Sequence, residues 1–155
     1  MPHTIVKGRA STLRHGRFSN KDMIYHVTWT THQRLSVFNN FHTAHIFAQE
    51  ILLFEKTQRA TSVAWVIMPD HVHWLVQLQN TPLSTLVKSL KARSALAINK
   101  SQNKNGKFWQ EGFYDRAVRY EDDLKSIARY IIANPIRAGL TKKVGDYPFW
   151  DACWL

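Results

Sequence analysis

The sequence of 155 residues has little cysteine, no long apolar run and, over two long stretches, no acidic residue. Its single cysteine, Cys153, excludes an internal disulfide and a cysteine-rich zinc module, which fits a reducing compartment. No apolar run approaches the length of a membrane span, and the N-terminus lacks the apolar segment of a signal peptide. We therefore predict a cytoplasmic protein that does not enter a membrane.

The two stretches without acids are rich in basic residues. No Asp or Glu precedes Asp22, and none lies between Asp70 and Glu111, while the whole chain has 21 Lys and Arg against 11 Asp and Glu, a charge of +10. Solubility alone does not require such an exclusion of acids, whereas a surface that binds a polyanion does. We predict nucleic-acid binding, with these residues as candidate contacts: Arg14, Arg17, Lys88, Lys91, Arg93 and Arg116.

The order of apolar patterns predicts one α+β domain over residues 1–155, in which residues 1–23 form a basic N-terminal arm. Strands are predicted over residues 24–30, 61–68, 71–79 and 113–118, and helices over residues 41–57, 82–103 and 124–133. Asn134 and Pro135 are expected to stop the last helix. This order predicts a ferredoxin-like sandwich: a four-stranded antiparallel sheet, helices on one face, and an added C-terminal helix.

Two pairs of polar residues stand out in the apolar segments. His71 and His73 are two apart in a predicted strand, so they point from the same face, and partly buried imidazoles need partners. Tyr130 and Asn134 are four apart in the last helix and share a face one turn apart. Two imidazole nitrogens and an amide oxygen suit Mg²⁺ or Mn²⁺.

A tyrosine beside such a metal suggests phosphodiester chemistry. The phenol is a weak nucleophile at neutral pH, and a metal ion that polarises the scissile phosphate compensates for this weakness. Tyr114 and Tyr120 are rival nucleophiles, but neither has an amide residue four positions later. We therefore predict Tyr130 as the nucleophile.

Five segments, residues 25–30, 65–73, 108–116, 130–135 and 147–149, resemble the REP-associated tyrosine transposases of the single-tyrosine His-hydrophobic-His superfamily. The resemblance covers residues 25–150 and implies that His71, His73 and Asn134 bind the metal. It also implies that Tyr130 forms a 5′-phosphotyrosine link on single-stranded DNA and leaves a 3′-hydroxyl. Tyr114 departs from the histidine that many relatives carry there, which leaves its role open.

The predicted function is thus a metal-dependent single-stranded DNA endonuclease and strand transferase acting on REP-like hairpin DNA. One alternative is a non-catalytic regulator that binds DNA or RNA hairpins, although such a binder gains nothing from keeping all four site residues. Another is a metal phosphodiesterase that uses water and leaves no covalent adduct. We expect a monomer, with a dimer as the open alternative.

Overall fold

The computed structural model describes residues 22–119 and 122–153. Within these ranges the larger elements follow in the order β1 Ile24–Thr30, α1 Phe41–Lys56, β2 Ala60–Ile67, β3 His71–Leu78, α2 Leu83–Ser101, β4 Tyr114–Ala117, α3 Leu124–Ile132, α4 Asn134–Arg137 and β5 Trp150–Ala152. Arg14, Arg17 and almost all of the predicted N-terminal arm, as well as Tyr120, lie outside the described residues. Among the described helices, none combines the length and hydropathy that a membrane span requires.

The strands form one antiparallel sheet in the order β4-β1-β3-β2-β5. The first four strands are those predicted, and their order confirms the ferredoxin-like α+β arrangement. The sheet has a fifth strand that was not predicted, since β5 pairs with the edge of β2 over only three residues. A segment this short shows no alternation of apolar and polar residues that would indicate a strand.

One face of the sheet packs against α1 and α2 and will be called the helical face. Alternation along β1 directs Tyr25, Val27 and Trp29 to this face, where they are fully buried. The ring of Trp29 makes edge contacts with Trp74 and Trp109 at centroid distances of 6.3 and 6.0 Å. This aromatic cluster fixes β1 and β3 against the helices, and so fixes the side chains on the opposite face.

The opposite face, which will be called the histidine face, is apolar only where α3 covers it. Ile131 and Ile132 of α3 pack there in one buried cluster with Val66 of β2 and Leu75 of β3. Helix α3 contacts β2 and β5. Its N-cap is Asp123, whose carboxylate accepts hydrogen bonds from two backbone N–H groups of the first turn.

The helix that carries Tyr130 ends within one residue of its predicted end, but a second short helix follows that was not predicted. Helix α3 stops at Ile132, but Pro135 does not terminate the helical region, because the short helix α4 begins directly at Asn134. Pro is compatible with the first turn of a helix, where its missing N–H would have no partner in any case. Across the break at Ala133, Arg137 of α4 lies close enough to the end of α3 to donate a hydrogen bond to the Tyr130 carbonyl.

Candidate active site

The pairing of β1 with β3 brings three histidines together on the histidine face. Thr28 of β1 lies opposite His73 of β3, and His26 precedes Thr28 by two residues and points from the same face. The ring centroid of His73 lies 5.0 Å from that of His71 and 5.2 Å from that of His26. The predicted histidine pair thus lies on one face, with a third imidazole beside it.

The ring of His71 is oriented by Asp70. Nδ1 of His71 lies 2.7 Å from one carboxylate oxygen of Asp70, and the other oxygen accepts a hydrogen bond of 3.1 Å from Arg34. Burial raises the pKa of Asp70, but the hydrogen bond and charge of His71 and the Arg34 guanidinium outweigh it, and the pKa lies below its usual value. The ionised carboxylate holds the proton on Nδ1, which leaves the Nε2 lone pair of His71 for a metal.

The ring of His73 is oriented by β1. Its Nδ1 lies 2.9 Å from Nε2 of His26 and 3.2 Å from Oγ1 of Thr28. Burial, together with the charges of His26, His71 and Arg137, lowers the pKa of His73 to about 3, so the ring is neutral at pH 7. Burial and the charge of Arg116 lower the pKa of His26 to about 4, so His26 is also neutral. In the tautomer in which Nδ1 of His73 carries the proton, Nε2 of His26 accepts it, and Nε2 of His73 is left for a ligand.

The nucleophile predicted from the sequence lies at the exposed end of α3. The side chain of Tyr130 is 59% exposed, and the guanidinium carbon of Arg137 lies 3.7 Å from the centroid of its ring. Nη2 of Arg137 also donates a hydrogen bond of 2.5 Å to the Tyr130 carbonyl. The charge of Arg137 contributes to the lowered pKa of His73, so this helix end lies in the same electrostatic environment as the histidine pair.

Asn134 presents its amide oxygen. Its Nδ2 donates a hydrogen bond of 2.8 Å to the Ile131 carbonyl, and no residue in the described ranges donates to its Oδ1. The described residues include no group of three His, Cys, Asp or Glu that could hold a metal. A metal site at His71 and His73 therefore depends on a third ligand of another type. Two imidazoles and an amide oxygen make a donor set that fits a divalent cation.

The candidate DNA contacts on α2 lie on the other side of the sheet. Lys88 is exposed, and Arg93 pairs with Glu50 of α1 at 3.1 Å. Nζ of Lys91 donates to the carbonyl oxygens of Gln110 and Gly112 at 2.8 and 2.7 Å, so it fixes the loop before β4. DNA contact by these residues stays a prediction, and it would involve a surface separate from the histidine face.

Arg116 is placed differently from the residues of α2. It lies opposite His26 in the pairing of β1 with β4, so it shares the histidine face. Its guanidinium is 60% exposed and pairs with Asp122 at 3.2 Å. Of the candidate DNA contacts within the described part of the chain, Arg116 is the one beside the histidines.

Sequence reasoning missed the residues that orient the histidine ligands, namely His26, Thr28 and Asp70, and it missed Arg137, which contacts Tyr130. One signal was available for the first two, because they are alternate polar residues in an otherwise apolar strand. Asp70 directly precedes the histidine pair, but its side-chain direction depends on the turn between β2 and β3. No pattern in the sequence indicated Arg137, because its contact with Tyr130 depends on the break between α3 and α4.

Comparisons with known proteins give the family context of this site. A family model described as "Transposase IS200 like" matches residues 19–134. The chain is 32% identical over 88 residues to the REP-associated tyrosine transposase of Escherichia coli (strain K12), an alignment that covers 56% of this chain and 50% of the relative. It is 29% identical over 99 residues to the putative REP-associated tyrosine transposase of Haemophilus influenzae, covering 57% of this chain and 56% of the relative.

The chain thus spans about half the length of the curated relatives it matches. Its fold matches a structure described as the REP-associated tyrosine transposase bound to a REP hairpin, with a TM-score of 0.71, 22% identity, and coverage of 88% of this chain and 80% of that one. A putative transposase from Deinococcus radiodurans R1 matches with a TM-score of 0.51, 25% identity, and coverage of 75% and 93%. Since the family model spans more than half of the chain, from before β1 to Asn134, the chain belongs to the IS200-like transposase family.

Proposed function

We propose that this protein is a metal-dependent single-stranded DNA endonuclease and strand transferase that acts on REP-like hairpin DNA. The observation that carries the proposal is the arrangement of His71 and His73, whose Nδ1 atoms are both engaged on the protein side. The curated relatives named as REP-associated tyrosine transposases support the choice of substrate. So does the structural neighbour described as bound to a REP hairpin.

The site residues have separate roles, as metal ligands and as the nucleophile. A Mg²⁺ or Mn²⁺ ion held by His71, His73 and Asn134 would act as a Lewis acid on the scissile phosphate, an effect on the order of several kcal/mol. The hydroxyl oxygen of Tyr130 attacks phosphorus, and the bond from phosphorus to the 3′ oxygen breaks. One strand is then joined to Tyr130 through its 5′ phosphate, and the other leaves with a 3′-hydroxyl.

The tyrosine ester explains why strand transfer can follow cleavage. It retains the energy of the phosphodiester, so a new 3′-hydroxyl can attack the same phosphorus and release Tyr130, whereas hydrolysis by water would discard that energy. Arg137 holds the ring of Tyr130 by stacking on it. The guanidinium has further N–H groups besides the one bonded to the Tyr130 carbonyl, and these are suited to bind the transferred phosphate.

A covalent adduct is the direct test. Labelled hairpin DNA with a single-stranded flank, incubated with the protein and Mn²⁺, should give a protein-linked 5′ phosphate that survives denaturing electrophoresis. Tyr130→Phe should abolish the adduct and leave DNA binding nearly intact, because it removes only the attacking oxygen. Tyr114→Phe is the matched control, since Tyr114 is also exposed, at 70%, and lies on the histidine face opposite Thr28.

The outcomes separate the alternatives. An adduct that persists in Tyr130→Phe, or that maps to Tyr114, would contradict the assignment of the nucleophile. Cleavage without any adduct would indicate a phosphodiesterase that uses water. Hairpin binding without cleavage by the wild-type protein in Mn²⁺ or Mg²⁺ would indicate the non-catalytic regulator.

A further inference from the structure

A concave feature lies where β2 turns into β3, two residues along the chain from His71. It is a cavity of about 190 Å³ lined mainly by aromatic and proline side chains. Phe38 and Phe41 come from the start of the α1 region, Pro69 from the turn, and Tyr147 and Phe149 from the segment before β5. This cavity will be called the aromatic groove, and its residues have no part in the chemistry proposed for Tyr130.

The walls of the groove are attached to the backbone that leads to His71. The Phe38 N–H donates to the Pro69 carbonyl at 3.0 Å, and the Ile67 N–H donates to the Phe149 carbonyl at 3.0 Å. The hydroxyl of Tyr147 donates to the Ile67 carbonyl at 2.6 Å. Two separate segments are thus fixed by hydrogen bonds to residues 67–69, the short stretch of chain that leads to His71.

The groove offers one open aromatic surface and one unused amide. Phe41 is the first residue of α1 and is 63% exposed, with its ring centroid 4.8 Å from that of Phe149. The side-chain amide of Asn39 makes no hydrogen bond with any residue in the described ranges. An exposed aromatic ring beside a free amide is the chemistry that holds an unpaired nucleobase, by stacking on its flat surface and hydrogen bonding to its edge.

We propose that the aromatic groove binds one unpaired base of the DNA strand that the protein cleaves, by stacking on Phe41 and hydrogen bonding to Asn39. The proposal rests on the proposed function for the source of the strand. Pro69, which lines the groove, lies two residues before His71, so the backbone of the groove wall is within about 7 Å of the His71 backbone. Base recognition would then lie on the described domain as well as on the N-terminal arm.

Charge favours a nucleotide over an apolar peptide as the occupant. The groove is lined by uncharged residues, and the chain carries a net charge of +10. Asp70, the acid next to Pro69, is already paired with His71 and Arg34. Near the lining residues in the chain, two lysines, Lys142 and Lys143, stand against one acid, Asp146.

The test is an abasic scan of DNA binding by the full chain. Fluorescence anisotropy, at fixed salt and in EDTA, would measure affinity for a hairpin with an oligothymidine flank in which one base at a time is removed. For the wild type, one position should stand out with a loss of roughly 5- to 150-fold, which corresponds to one base–aromatic stack of about 1–3 kcal/mol. Phe41→Ala should show the same loss on intact DNA and no further loss at that position.

Two controls separate stacking from general damage. Phe41→Tyr keeps the ring and should retain wild-type affinity. Leu52→Ala removes another exposed apolar side chain of α1, 47% exposed, and should not change the scan. Asn39→Asp leaves the core untouched but places a negative charge at the rim, so it should weaken binding and reduce the penalty at the same abasic position.

The proposal is overturned if Phe41→Ala binds intact DNA as tightly as the wild type, or if it keeps the full position-specific penalty. It is also overturned if sedimentation shows that Phe41→Ala converts a wild-type dimer into a monomer, because a second copy of the chain would then occupy the groove. Binding in EDTA does not require Tyr130 chemistry. The abasic scan and the covalent adduct can therefore fail independently of each other.

Discussion

Replacing Asp70 with asparagine should weaken the binding of Mn²⁺ by about 10- to 100-fold, the usual effect of removing a partner that orients a ligating histidine. The carboxylate accepts a hydrogen bond of 2.7 Å from Nδ1 of His71 and thereby keeps the proton off Nε2. An asparagine can still accept this hydrogen bond but lacks the charge that fixes the tautomer. The loss corresponds to about 1.4–2.7 kcal/mol of binding free energy.

The same change should make stability depend differently on pH. The pKa of Asp70 is lowered in the folded protein, so the ionised carboxylate stabilises the fold above its unfolded pKa, and this contribution is lost as the pH falls through the folded value. Asp70→Asn removes that contribution. The difference in unfolding free energy between wild type and variant should therefore be present at neutral pH and shrink below about pH 4.

Isothermal titration with Mn²⁺, alongside thermal unfolding without metal, would measure both effects. Arg34→Gln is the matched control, because it removes the other partner of Asp70 while leaving His71 bonded. Arg34 is 62% exposed, so this change should cost less than about 1 kcal/mol. Wild-type Mn²⁺ affinity in Asp70→Asn, or an equal loss in Arg34→Gln, would refute the role of Asp70 as the orienting partner.

Two further predictions concern the ligands and the arm. His71→Ala and His73→Ala should each suppress cleavage strongly, and Asn134→Ala should suppress it less. EDTA should suppress cleavage by the wild type, and cleavage that resists the chelator would exclude the metal mechanism. Anisotropy over a salt series gives the slope of log affinity for single-stranded DNA against log salt concentration. Neutralising Arg14 and Arg17 together should make this slope shallower by about 1.4, at about 0.7 for each lost phosphate contact. An unchanged slope would mean that these two arginines do not contact phosphate.

The parts of the fold that follow from local periodicity could be predicted from the sequence. Strand β1 was predicted with the bounds that the structure shows, because its β-branched and aromatic residues alternate without interruption. The same period of two correctly placed His71 and His73 on one face. The assignment of Tyr130 and Asn134 to the metal centre stays a prediction, as do all the roles in DNA contact.

What could not be predicted depends on contacts between distant segments. His26 becomes a partner of His73 only through the register of β1 on β3, which joins residues 47 positions apart. Asn134 was expected to end a helix, whereas the helical region continues as α4 and brings Arg137 onto the ring of Tyr130. A proline in the first turn of a helix and a proline that stops one look alike in a sequence, because both occur at a helix boundary.

The location of the site follows from a change along β3 from fully buried to half-buried side chains. Leu75 lies under α3 in the buried cluster, and His73 and His71 continue on the same face towards the start of the strand, where they are only half-buried. A metal ligand needs this position, since full burial would exclude the substrate and full exposure would leave the imidazoles without orienting partners. On α3, Ile131 and Ile132 are buried while Tyr130 is exposed. The contacts that hold α3 on the sheet therefore also determine where the hydroxyl of Tyr130 lies relative to the histidines. The packing of α3 and the proposed chemistry thus depend on the same few side chains.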